Sequence, residues 1–201
     1  MPKLVLIKHS LPSIDRTKPA AAWQLSPVGV ERCRRLAPYL TDFLPAVLVS
    51  SVEPKARATA DHLAERLGLT ATTADRLEEQ HRLTAPFLAH RALQRAMRRL
   101  FAHPAELLFG EETAEAASTR FSTAIHHLVT EHQDRNLLVV THGTVISLYL
   151  GRYAGIDPYH GGRNWGCRPL SSWTGTQSAS KNLNGRSPEA RQSSAPTAFA
   201  T

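Results

Sequence analysis

The chain has 201 residues, 42% hydrophobic and 20% charged, proportions that suit one globular domain with at most a small annex. Its net charge of +7 invites a polyanionic partner, but residues 1–158 hold 19 Lys/Arg against 16 Asp/Glu and residues 159–201 hold 5 against 1, so more than half of the excess sits in the last fifth. No apolar run approaches the roughly 18–20 residues of a membrane span. The Met1–Ile7 stretch is too short for a signal peptide, and Lys8 and His9 interrupt it. Cys33 and Cys167, far apart and without a CxxC, exclude a disulfide scaffold and a thiolate zinc site. The expectation is a cytoplasmic protein with no membrane partner.

Three short apolar runs read as strands buried on both faces: Lys3–Lys8, Ala46–Ser51 and Leu137–His142. Between the first two, Pro27 to about Leu40 carries Val30, Cys33, Leu36 and Leu40 on one helical face. After the second run, Pro54 opens a helix with Ala56, Thr59, Ala60, Leu63 and Leu67 at three- and four-residue spacing, and Gly68 closes it. Thr70–Thr73 is a candidate fourth strand. Helices follow over Pro86–Phe101, Thr113–Glu131 and the stretch after Gly143. Strands alternating with helices predict a three-layer α/β/α sandwich with a mostly parallel central sheet. From Gly161 the sequence loses any sustained period, and its Gly, Ser, Thr, Asn and Arg bury too little to offset ordering entropy. The expected organisation is a domain over 1–160 and a poorly ordered tail over 161–201.

In such sheets ligands collect at the carboxyl ends of the strands. There the first run ends in Lys8-His9-Ser10, the second in Ser50-Ser51 with Lys55 and Arg57 close behind, and the third in Thr141-His142-Gly143. Two histidines, several cations and helix N-termini on one rim suit a dianionic group such as a phosphate. An imidazole can itself be the nucleophile. A phosphoryl group on His9 would be flanked by Lys8, Lys55 and His142, which offset the charge on its equatorial oxygens. A carboxyl within Asp75–Arg82 would serve as general acid and then as base for water.

Six elements in order then resemble the histidine phosphatase superfamily, the phosphoglycerate-mutase-like proteins. Lys8-His9-Ser10 stands at its Arg-His-Gly signature, and Leu25-Ser26-Pro27-Val28-Gly29 at its Leu-Ser/Thr-x-x-Gly element. Ser50 to Ala60 matches Ser-Ser-Pro-x-x-Arg-Ala-x-x-Thr-Ala, and Leu77-Glu78-Glu79 the Leu-x-Glu acid element. Glu111-Glu112-Thr113 matches Gly-Glu-Ser/Thr, and Val139 to Gly143 matches Val-Ser-His-Gly. The resemblance spans about residues 3–150. It implies His9 as phosphorylated nucleophile, His142 as second phosphate-pocket histidine and Glu79 as proton donor, with no metal and no cofactor. Lys8 and Lys55 stand where the family has arginines, keeping the charge but losing the bidentate fork.

Gly143 joins the phosphate-binding set, and His81 and Arg82 are candidates for the pocket mouth. Arg57, two residues beyond Lys55, is turned about 200° from it on a helix and is no substitute. Asp15 falls at a family Asn, where an acid would oppose phosphate. Trp23 either packs over the active-site loop or anchors it. His126-His127 read as surface or core-edge residues rather than metal ligands, and the stripe Arg91, Arg95, Arg98 and Arg99 as the wet face of a helix.

The expected activity is phosphomonoester hydrolysis, the partner a small phosphorylated substrate or a phosphoprotein, not nucleic acid. The alternative is a weakened or inactive phosphate-binding protein on the same fold. Family members continue past the last helix with ordered sequence. Here the pattern fails after Tyr153–Pro158, an ending that a shifted reading frame or a truncation would produce.

Overall fold

A computed structural model describes residues 2–159. The 160 boundary and the expected disorder of the tail lie outside the described residues. Four strands, β1 Leu4–Lys8, β2 Ala46–Ser51, β3 Ala71–Ala74 and β4 Asn136–Thr141, form one sheet in the order β1-β4-β2-β3. Every pairing is parallel, as predicted. Five helices accompany it: α1 Pro27–Leu36, α2 Pro54–Leu67, α3 His90–Ala102, α4 Ala114–Glu131 and α5 Gly143–Ala154.

The apolar runs are nearly continuous because both sheet faces are covered. Side chains alternate along a strand, so Val49, Leu137 and Val139 pack with Leu100 of α3, Phe121 and Ile125 of α4 and Val145 and Leu148 of α5. Their neighbours Ile7, Leu48, Leu138 and Val140 pack on the other face with Cys33 of α1 and Ala56, Ala60 and Leu63 of α2. This makes the three layers. Phe121 is fully buried and meets Tyr149 edge-on at 5.8 Å between ring centres.

Two helix boundaries differ from expectation. The α-helix from Pro27 stops at Leu36 and continues as a 3-10 segment over Ala37–Phe43. Pro38 has no N–H for the α-helical ladder, which explains the change. The third helix starts at His90 rather than Pro86. Ahead of it, the N–H groups of Leu83 and Thr84 donate to the Glu111 carboxylate at 2.7 and 2.8 Å, tying that loop to another part of the chain. Gly68 closes α2 with φ 65°, as expected, and Ser26 and Thr113 cap α1 and α4 with their side chains.

Register sets the rim. Lys8 pairs with Thr141 and Ser50 with Val140, so β1, β4 and β2 end together. His9, His142 and the Ser51–Lys55 turn therefore leave the same edge of the sheet. No described helix is long and apolar enough to cross a membrane.

Candidate active site

His9 continues the β1–β4 ladder, its backbone N–H donating to Thr141 O at 2.8 Å. Its ring Nδ1 lies 2.7 Å from Ser10 O. A carbonyl only accepts, so Nδ1 carries the proton and Nε2 is left with a lone pair. Burial first, then the Lys8 charge, brings the pKa of His9 down to about 3, so the imidazole is neutral.

The loop behind His9 is held at several points. Ser10 N donates to Thr59 Oγ1 at 3.0 Å and Ser10 Oγ to Gly29 O at 2.8 Å. Leu11 O accepts from both the backbone N (3.0 Å) and hydroxyl (2.9 Å) of Ser26. A Cβ on Gly29 would fall 2.3 Å from Leu11 O, so this close approach requires glycine. The Leu25–Gly29 element is thus the clamp that positions the His9–Leu11 loop. The serine after His9 is accommodated because its side chain turns toward α1.

His142 is the N-cap residue of α5 and is fully buried. The two histidine ring centres lie 5.1 Å apart. Its Nε2 sits 2.9 Å from Ser51 Oγ and 3.5 Å from Glu53 Oε1, while Nδ1 is buried with no hydrogen-bond partner. Burial foremost, then His9, Lys55, Arg82 and Lys8, holds His142 well below the usual histidine range. Gly143 opens α5, and a Cβ there would lie 3.4 Å from Lys8 Cε, so the lysine stem runs along this helix start.

Lys55 is 4% exposed. Its ammonium donates to Ala20 O at 2.7 Å and to the Glu53 carboxylate. Arg57 is exposed and bears on none of this, as its helical offset predicts.

Glu79 comes in from the loop after β3. Its Oε1 accepts from Gln80 N at 2.9 Å, and Oε2 accepts from Thr144 N at 3.1 Å and faces Arg82 Nη2 at 3.2 Å. Burial pushes this carboxyl up, but the Arg82 charge and the Gln80 and Thr144 N–H groups outweigh it and hold it below the usual carboxylate range. Glu78 faces away, to Arg120 at 3.4 Å. Arg120 anchors the loop by donating to Glu79 O (3.1 Å) and to both oxygens of Glu112 (2.8 Å each). Gln80 donates to Phe109 O at 2.6 Å and Glu112 O at 2.7 Å. The Glu111–Thr113 element therefore supports the acid loop and caps α4.

The structure separates the two mouth candidates. Arg82 belongs beside Glu79, bonded also to Thr144 Oγ1 at 3.1 Å and lying over the Phe109 ring. His81 is half exposed, its Nδ1 4.0 Å from Glu112 Oε2, and no described contact joins it to His9 or Glu79. Trp23 anchors: its Nε1 donates to Asp15 O at 2.8 Å. Asp15 itself turns to Thr17 and Lys18. His126 meets Tyr149 and Tyr153 in ring contacts, and His127 faces Glu131. Among the described residues there is no group of three His, Cys, Asp or Glu side chains placed to hold a metal ion.

Sequence reasoning missed Glu53. It is 7% exposed and touches Lys55, the edge of His142 and, at 2.8 Å, the backbone N–H of Glu79. Its signal was position: an acid just after a buried strand, on the rim where ligands collect. The structure also gives Ser51, Thr59 and Thr144 contacts with His142, Ser10 and Glu79.

The comparisons agree with the fold. The chain superposes on a mycobacterial glucosyl-3-phosphoglycerate phosphatase with TM-score 0.64 at 22% identity, covering 81% of this chain and 84% of that one. The alpha-ribazole phosphatase of Shigella flexneri gives TM-score 0.61 at 22% identity, covering 79% and 83%. A phosphoserine phosphatase mutant from Entamoeba histolytica, in complex with phosphoserine, gives 0.65 at 16%, covering 80% and 84%. No curated protein sequence matches the chain. The model of the histidine phosphatase superfamily, branch 1, matches residues 6–177, and the chain belongs to that superfamily.

Proposed function

We propose that this protein is a metal-independent phosphomonoester hydrolase that works through a phosphohistidine on His9. The observation that carries the reading is the state of that ring: neutral, with Nδ1 committed to Ser10 O and Nε2 free, beside the unpartnered Nδ1 of His142. Nε2 attacks phosphorus, and the bond from phosphorus to the ester oxygen breaks. In this reading Lys8, Lys55 and His142 meet the phosphoryl oxygens, and Gly143 lets the α5 N-terminus contribute its dipole.

Glu79 gives the leaving oxygen its proton. In the free site this carboxyl is ionised. A phosphate group arriving nearby opposes that charge and raises its proton affinity, so Glu79 takes up a proton as substrate binds. In the second half, the carboxylate accepts a proton from water as the water oxygen attacks phosphorus and the P–N bond breaks. Inorganic phosphate leaves and His9 returns to its neutral form.

The substrate is a small phosphorylated molecule, in keeping with the glucosyl-3-phosphoglycerate and phosphoserine in the names of the structural neighbours. A cytoplasmic location fits the free, buried Cys33. The test is phosphate release from a broad panel of phosphomonoesters, in the presence of chelator, by wild type and His9→Ala. Hydrolysis by wild type alone supports the reading, and no hydrolysis across the panel refutes it.

A second reading, a phosphate-binding protein with little or no turnover, is favoured by one observation. Two of the three Lys55 ammonium hydrogens are committed, to Glu53 and to Ala20 O. Under it, phosphate ligands bind without turnover. Under the hydrolase reading, Lys8→Arg or Lys55→Arg changes a measurable rate.

A further inference from the structure

Glu53 is the buried charge of this site that the reaction above leaves unused. It stands at the N-cap position of α2 but makes no capping bond with its side chain. Both oxygens go to the site instead. Oε2 takes the Lys55 ammonium, and Oε1 accepts from Glu79 N at 2.8 Å while lying 3.5 Å from His142 Nε2. One carboxylate thus touches the lysine, the second histidine and the strand of backbone carrying the proton donor.

We propose that Glu53 is a positioning residue: it supplies the counter-charge that lets His142 bind a phosphate group as an imidazolium, and it holds Lys55 beside it. The proposal rests on the reading that this rim takes phosphate. Phosphate at the orphaned Nδ1 needs an N–H there. A neutral ring protonated at Nδ1 would turn a lone pair on Nε2 toward the Glu53 carboxylate. An imidazolium donates at both ends, to phosphate through Nδ1 and to Ser51 Oγ through Nε2, with the Glu53 carboxylate 3.5 Å from Nε2 as counter-charge.

Every charge around the ring bears on this balance. Lys8 from the end of β1, Lys55 from α2 and Arg82 from the acid loop all disfavour a protonated His142, and His9 would do so only if it were protonated. Glu53, also at the start of α2, opposes them, and Glu79 reaches the same helix start through Thr144 N. In the free site burial pushes Glu53 up and His142 down, so the ring stays neutral until an anion arrives. Phosphate then adds the missing negative charge, and His142 takes one proton from solvent.

The test is nitrogen-15 NMR of histidine-labelled wild-type protein titrated with inorganic phosphate at pH 7, with His142 assigned by the signal missing in His142→Gln. The expected result is a neutral His142 ring that becomes an imidazolium at phosphate saturation. In Glu53→Gln the ring stays neutral, phosphate binds about tenfold more weakly, and KM rises more than kcat falls, while Glu53→Asp restores part of the loss. A His142 that stays neutral in the wild-type complex overturns the proposal, even if Glu53→Gln does not fold. So does a folded Glu53→Gln that binds phosphate as wild type does. The hydrolase reading fails separately, by absence of turnover: an imidazolium forming in a protein that hydrolyses nothing keeps this proposal and removes that one.

Discussion

Glu53 and Glu79 sit on the same rim, both largely out of water, and their surroundings drive them in opposite directions. For Glu53 burial prevails over the Lys55 ammonium, and the carboxyl is raised. For Glu79 the Arg82 charge and the N–H groups of Gln80 and Thr144 prevail over burial, and the carboxyl is lowered. The lesson is that donors, not depth alone, set the charge of a buried acid. The helix start at Thr144 and an arginine hold one carboxylate below the usual range. The other shares a lysine and a histidine. Under the proposed function, these are separate tasks, one moving a proton and one holding an anion.

The largest effect belongs to neither acid. His9→Ala should lower kcat on the order of a thousandfold or more while leaving the fold intact, checked by phosphate release and thermal unfolding. Next is Glu79→Gln, which should cost about 10²–10⁴ in kcat with little change in KM. That contrasts with Glu53→Gln, whose loss falls mainly on KM. Two variants with the same kinetic signature would collapse the distinction between the two carboxylates.

Arg82→Met sharpens the comparison from the other side. Without the guanidinium, burial of Glu79 is less opposed, so its pKa rises. The limb of the kcat–pH profile governed by Glu79 should move to higher pH, and an unmoved limb would show that Arg82 does not set that charge.

Stability should also follow pH in a predictable direction. His9 and His142 are held below the ordinary histidine value of 6.5, so below that pH the unfolded chain binds protons that the folded chain does not. Stability therefore falls as pH drops below about 6.5. The melting temperature of wild type between pH 7 and 5 should fall more steeply than that of His9→Gln. The smallest expected effect is Ser10→Ala, which loses the bond to Gly29 O and about 1 kcal/mol by denaturant titration.

Much of the site was legible because short-range signals and sheet topology agree. An apolar run ending in a histidine appears twice, and parallel pairing of β1 with β4 brings His9 and His142 together from opposite ends of the domain. Gly68 marked the end of α2 by its backbone freedom. Glu53 was not legible, because residues two apart on a helix do not face each other in an ordinary pair. Its contact with Lys55 arises at the turn where β2 becomes α2, and its contacts with His142 and Glu79 come from distant parts of the chain. The 3-10 segment after Leu36 was hidden because Leu40 keeps the helical spacing while Pro38 breaks the ladder. Arg82 and His81 are adjacent in sequence yet part company through Glu112, a partner about thirty residues on that no local pattern announces.

The proposed reaction runs through a covalent bond to His9, and trapping it is the most direct measurement. Wild type exposed to a phosphorus-32-labelled phosphomonoester and quenched in alkali should carry one acid-labile label per chain, mapped by peptide mass spectrometry to His9 and absent from His9→Ala. Rapid hydrolysis with no label at any quench time, or a label that persists in His9→Ala, would contradict it.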